Sequence, residues 1–195
     1  MNPLQQALKE WAVICRALAG GRQALLLRKG GIAERGGQFE VKHRRFWLFP
    51  TYVHQQKDGV VPEAVSLLEQ AEAERPPQGI VRLTHFAEAV ASYHVHDLAA
   101  VEKLAGLHIW SPPTVRARFD YRQPGLYVVL VRVSRLPQAF ELPDTAAYAG
   151  CRSWVELDPA LSVHGATPVL EAEAFAAALR TVDHLLAGAL SEPRP

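Results

Sequence analysis

The sequence lacks most of the signatures that name a reaction. It has two cysteines, Cys15 and Cys151, and no CxxC pair, so the sulfur ligands of a zinc knuckle are missing. It has no Walker loop, no GxGxxG and no GxSxG, and with them go the marks of phosphate-cradling loops, dinucleotide folds and nucleophile elbows. No apolar run reaches the roughly 18 to 20 residues that a membrane-spanning helix needs. The opening MNPLQQALKEW has no basic stretch leading into an apolar one, so no signal peptide is read there. A cytoplasmic protein with reduced, buried cysteines is expected, with no cofactor, no metal and no membrane partner.

Hydrophobic residues make up 49% of the chain and charged ones 21%, the composition of a folded protein with a core. The length suits one compact globular domain over residues 1–190, either undivided or as two packed subdomains, 1–76 and 77–190. Residues 191–195 read as a loose tail. The formal net charge is only +1, but it is segregated. Residues 1–50 carry nine Lys/Arg against three Asp/Glu, and residues 111–157 carry six against four; residues 51–110 and 158–195 are acidic. Two basic segments gathered on one face would make a footprint for an anionic partner.

Periodicity gives the elements. Leu4, Leu8 and Trp11 fall at helical spacing, so residues 3–11 read as a short helix. Gly20-Gly21 between two apolar runs reads as a hairpin, with strands 12–18 and 23–28. RRFWLFP reads as a strand apolar on both faces and ended by Pro50. PEAVSLLEQAEAER is a helix with Pro62 in its first turn. GIVRLTHFAEAVASYHVH is extended, and DLAAVEKLAGL is a helix capped by Asp97. SPPTVRARFDY gives a turn and at most one helical turn. GLYVVLVRVSRL and CRSWVELD are strands, and LEAEAFAAALRTVDHLLAGAL is an amphipathic C-terminal helix. Strands come in runs, which predicts an α+β fold: a mixed or antiparallel sheet with an N-terminal hairpin, packed by three or four helices.

The segments LKEWAVICRAL, GRQALLLRKGGI, HRRFWLFPTYVHQ, LHIWSPPTVRARF, LYVVLVRVSRL and YAGCRSWVEL, in this order, resemble an uncharacterised bacterial family, domain-of-unknown-function family 1802. The likeness covers roughly Leu8 to Leu157. It implies no activity. It implies an association with restriction-modification systems, because some members look fused to a restriction-endonuclease-like domain, and through that a link to nucleic acid.

The densest candidate site is KHRRFWLFPTYVHQ. Lys42, Arg44 and Arg45 at one end, with Arg28 and Lys29 of the Gly-flanked RKGG, would present fixed positive charge to phosphate. His54 and Gln55 would line the site at the other end, and Arg116 and Arg118 would add the second basic segment. Trp47 and Tyr52 offer stacking faces for bases. The competing reading is a solvated strand edge guarded by charge. His54 also reads as a capping or core-edge histidine, since no nucleophile or second acid is fixed beside it. His94 and His96 would share a strand face, the start of a metal site that lacks a fixed third ligand. Glu40-Val41-Lys42 matches half of a restriction-nuclease motif without the upstream Asp. GGRQALLLRKGG followed by FWLFP is similar to the opening of a Nudix hydrolase whose carboxylate-rich helix is missing. Arg132, on an apolar strand, is expected either to pair with Glu156 or, with Arg152, to face an anion pocket. The leading reading is a DNA- or RNA-binding or phosphate-ligand module without catalysis. The alternatives are a metal-dependent phosphodiesterase or nucleotide hydrolase, and a structural or protein-interaction protein.

Overall fold

The computed structural model describes residues 3–29, 41, 43–150 and 152–189. The chain runs β1 (Leu4–Trp11), α1 (Ala12–Ala19), β2 (Leu25–Arg28), β3 (Arg45–Thr51), α2 (Val65–Ala73), β4 (Ile80–Val95), α3 (Leu98–Glu102), α4 (Pro112–Asp120), β5 (Leu126–Pro143), β6 (Trp154–Leu161), β7 (Thr167–Pro168) and α5 (Ala172–Leu186). The strands form one sheet in the order β2-β5-β4-β3-β1-β6, with β7 also on β5. β1 and β3 are parallel; the other pairs are antiparallel. The α+β, mixed-sheet expectation holds. Among the described residues, no helix is long and apolar enough to cross a membrane.

The N-terminal hairpin is corrected. Residues 4–11 are a strand, not a helix, and residues 12–19 are a helix, not a strand. β2 pairs with β5, about a hundred residues on, rather than with its neighbour in sequence. Six of the eight residues of α1 are buried, and in AVICRALA a single polar residue, Arg16, interrupts an apolar run too short to tell a buried strand from a buried helix. SPPTVRARFDY also forms more helix than expected: α4 has nine residues, with prolines opening it.

β3 sits inside the sheet, and its two faces serve two cores. Phe46 and Leu48 join one apolar cluster; Trp47 and Phe49 join the other. The period of two in RRFWLFP thus becomes burial on both sides. Helices α1 to α5 cover the first cluster. The second holds Val155, Leu157 and Leu161 of β6, with Tyr148.

Two irregularities matter for function. First, β3 and β4 pair only through Arg45–Glu88, Phe46–Ala87 and Trp47–Phe86. Beyond Trp47, β3 continues on β1 as far as Thr51, while β4 continues on β5. The sheet forks there. Pro50 therefore lies within β3, not at its end, on a stretch whose β4 ladder has already stopped, where its missing N–H is tolerated. Second, Leu83 pairs with Phe140, but His85, two residues on, pairs with Arg135, five residues back. This bulge re-aims the side chains of β4 beside the fork.

Candidate functional site

Of the basic residues singled out in the sequence, Arg28, Lys29 and Arg118 come together, with Arg118 Nη1 donating to the Leu27 carbonyl at 3.4 Å, while Arg44, Arg45 and Arg116 lie apart from them. Arg28 Nη1 donates to Glu10 Oε2 at 2.8 Å and to the Lys9 carbonyl at 3.2 Å, and Nη2 donates to Ser153 Oγ at 2.7 Å. β2 and the β1/β6 pair lie towards opposite ends of the strand order, so these bonds show the sheet curled until its ends meet. Lys29 Nζ donates to the carbonyls of Phe119 and Gly125, at 2.8 and 2.7 Å, and to that of Gln123. It thus neutralises the C-terminal end of α4. Arg118 lies 3.7 Å over the Trp110 ring, and burial lowers its pKa to about 10. Arg116 pairs with Glu102 at 2.6 Å on the surface.

At the start of β3, Arg44 pairs with Glu88 at 3.0 Å and Arg45 lies 5.2 Å from the Phe86 ring centre. His54 and Gln55 lie beyond the other end of β3, about 20 Å away at ~3.3 Å per residue. Gln55 Oε1 accepts from the Val13 N–H in the first turn of α1, at 3.3 Å, and its amide donates to Glu72. Trp47 is fully buried, its Nε1 donating to the Leu4 carbonyl, so it offers no stacking face. Lys42, Glu40 and Cys151 lie outside the described residues.

The remaining candidates fall into place. The His94 and His96 rings are 4.0 Å apart, and His94 stacks on Tyr127. Among the described residues, no three His, Cys, Asp or Glu gather as metal ligands. Arg132 is exposed; it lies 4.9 Å from the Phe175 ring centre and opposite Glu88. Its expected partner, Glu156, is on β6 across the sheet. Cys15 is a free, buried thiol, and burial pushes its pKa up.

What the fold does assemble is a pair of adjoining cavities at the fork. The outer cleft, about 740 Å³, lies between the end of β3, the turn into β4, the segment 144–150 and Arg152. Among the described residues, four basic side chains line it, Lys9, Arg75, Arg82 and Arg152, together with His54 and a single carboxylate, Asp144. Lys9 Nζ ties the far wall to β1 through the carbonyls of Tyr148 and Gly150, at 2.7 and 2.9 Å. Arg82 is held by Glu141 at 2.9 Å. Arg75 lies 4.8 Å from the Tyr52 ring centre, with its nearest carboxylate, Glu72, at 4.0 Å. Arg152 is exposed and makes no ion pair among the described residues. His54 has φ +69°, uncommon for a residue with a Cβ; strained backbone of this kind gathers at functional sites.

The inner pocket, about 330 Å³, lies under α1 and α2 on the other side of the fork. Pro50, Tyr52, Pro76 and Arg82 line both cavities. Burial raises the Tyr52 pKa, so its phenol is neutral. The sequence analysis singled out His54, Tyr52 and Arg152 but missed Arg75, Arg82 and Thr84. Arg75 and Arg82 flank a Pro-Pro turn whose position beside β3 depends on the fork, and no local pattern marks it.

No curated protein sequence matches the chain. Among solved structures, the ASCH protein of Zymomonas mobilis is similar at 13% identity, with a TM-score of 0.47, over 90% of this chain and 93% of that one. A serine-to-alanine variant of that protein is similar at 14% identity, also with a TM-score of 0.47, over 81% and 92%. By the match of its family profile over residues 7–181, the chain belongs to the family described as Domain of unknown function (DUF1802).

Proposed function

We propose that the protein binds nucleic acid by its phosphates, in the outer cleft at the fork of β3 and β4. One observation carries the reading: among the described residues, four Lys/Arg side chains and His54 line a cleft that holds one carboxylate. Concave, same-sign charge raises the local concentration of a polyanion. Arg75 and Arg152 are the phosphate contacts, since neither is held in a close ion pair among the described residues and a guanidinium fork matches phosphate oxygens. Tyr52 gives the cleft an aromatic face, which a base can stack on whatever its identity.

In this reading His54 belongs to the site, Arg28, Lys29 and Arg118 serve structural partners, and Arg44, Arg45 and Arg116 lie outside the cleft. The geometry adds nothing to the association with restriction systems. Titration of labelled single- and double-stranded DNA and RNA across a salt series tests the reading. Binding that weakens steeply with salt supports it; no binding at low salt overturns it.

A further inference from the structure

The inner pocket has walls unlike those of the outer cleft. Leu48 and Pro50 of β3, Ala12 and Ala19 of α1, and Leu136 of β5 supply apolar surface. Polar groups come from Tyr52, from the Arg16–Glu74 ion pair at the mouth, from Arg135 of β5 and from the bulged part of β4. Thr84 and His85 are consecutive, and in regular strand they would face opposite sides of the sheet. Because the bulge falls between Leu83 and His85, both line the pocket.

His85 is 9% exposed. Its Nδ1 is 2.8 Å from Thr84 Oγ1, while its Nε2 is buried without a hydrogen-bond partner among the described residues. Such a nitrogen is costly in a folded protein. Burial, with Arg135 opposite, lowers its pKa to about 4, so the ring is neutral near pH 7 and offers one donor and one acceptor. Apolar side chains of Leu48, Pro50 and Leu136 beside a few polar groups suit a planar heteroaromatic ligand. The pocket opens beside the cleft that holds the phosphates, with Tyr52 and Arg82 common to both.

We propose that the inner pocket takes one unstacked base of a nucleic-acid strand whose sugar-phosphate backbone lies in the outer cleft. This rests on the reading of the outer cleft as a nucleic-acid site. The walls of Leu48, Pro50 and Leu136 cover the faces of the base, and His85 and Thr84 meet its edge. Duplex DNA or RNA cannot supply the base without unpairing it, so single strands are the ligand.

The test compares four single-stranded homo-octamers (A, C, G or T/U) with an octamer whose sugar-phosphate backbone carries no bases. Each is titrated against the wild-type protein and against Ala19→Leu, His85→Phe and Arg152→Ala. Wild-type protein is expected to bind at least one homo-octamer about tenfold or more tighter than the baseless strand, in line with the stacking of one base. Ala19→Leu, which fills the pocket, and His85→Phe, which removes the ring nitrogens, should each abolish that margin while leaving the baseless strand bound as before. Arg152→Ala should weaken every strand alike. Circular dichroism confirms that each variant is folded, and the two pocket variants serve as checks on one another. Equal binding of the baseless strand and all homo-octamers by wild-type protein overturns the pocket assignment while the outer cleft stands. Binding of none of them removes both.

Discussion

Arg28 Nη1 donates to Glu10 Oε2 at 2.8 Å, and the two side chains are 13% and 2% exposed. The pair joins the end of β2 to the end of β1, two strands that never pair in the sheet. A charge-assisted bond in such a place is costly to break on one side only, because the remaining charge stays buried. Arg28→Ala should destabilise the protein by about 3–5 kcal/mol, and Glu10→Gln by a smaller amount because it keeps a hydrogen-bonding side chain. Chemical denaturation measures both. An Arg28→Ala variant as stable as wild type would show that this closure is dispensable.

Lys29 serves α4. Its ammonium meets three carbonyls at and just after the helix end, and Lys29→Met should cost about 1 kcal/mol through loss of this cap. Affinity for nucleic acid should not change, which separates the structural role from the phosphate role that the sequence suggests. A variant with weaker binding and unaltered stability would restore Lys29 to the binding site.

Acid should destabilise the fold through two buried histidines. His108 is 7% exposed, and its Nδ1 accepts from the Trp110 N–H at 3.1 Å, which requires that nitrogen to be unprotonated. Burial lowers the pKa of His108 to about 4, and His85 is lowered to about 4 as well. The unfolded chain takes up these protons near pH 6.5 and the folded one only near 4. The stability is present above about pH 6.5 and lost as the pH falls towards 4. Thermal melts between pH 7.5 and 4.5 should show a falling Tm, and His108→Gln should flatten the fall. A variant with the wild-type slope would mean that His108 does not drive it.

Much of the fold was legible because some segments carry their instruction locally. Asp97 caps α3 through its Oδ1 and the Ala99 N–H, at 2.9 Å, as its position before an apolar run suggests. RRFWLFP is apolar on both faces and becomes a strand buried on both. LQQALKEW gave the reverse of its structure for a physical reason. β1 is a strand because β3 pairs with it, parallel, about 40 residues away, and long-range pairing outweighs the spacing of three apolar residues. The site was less legible. A run of basic residues shows charge but not the partner of each charge: that of Arg28 is 18 residues back, and those of Lys29 lie 90 to 96 residues on. The cleft arises where β4 leaves β3 and where a bulge turns His85 inward, and neither event has a sequence mark.

Arg75 and Arg152 are the two side chains on which binding strength should depend. Replacing each with Ala should weaken binding to all sequences alike and lower the slope of log K against log salt by about 0.7 per contact on single strands. Arg44→Ala with Arg45→Ala, at the far end of β3, should leave both affinity and slope unchanged. A double variant of Arg75 and Arg152 that keeps the wild-type slope would place the phosphates elsewhere.

The most direct measurement locates the strand on the protein. A single-stranded oligonucleotide carrying photoreactive bases is crosslinked to the wild-type chain, and the attached peptides are identified by mass spectrometry. The account predicts crosslinks within the peptides holding Tyr52 to His54, Pro76 to His85 and Asp144 to Arg152. Crosslinks confined to the peptides around Arg44 and Arg45 or around Arg116 would contradict it.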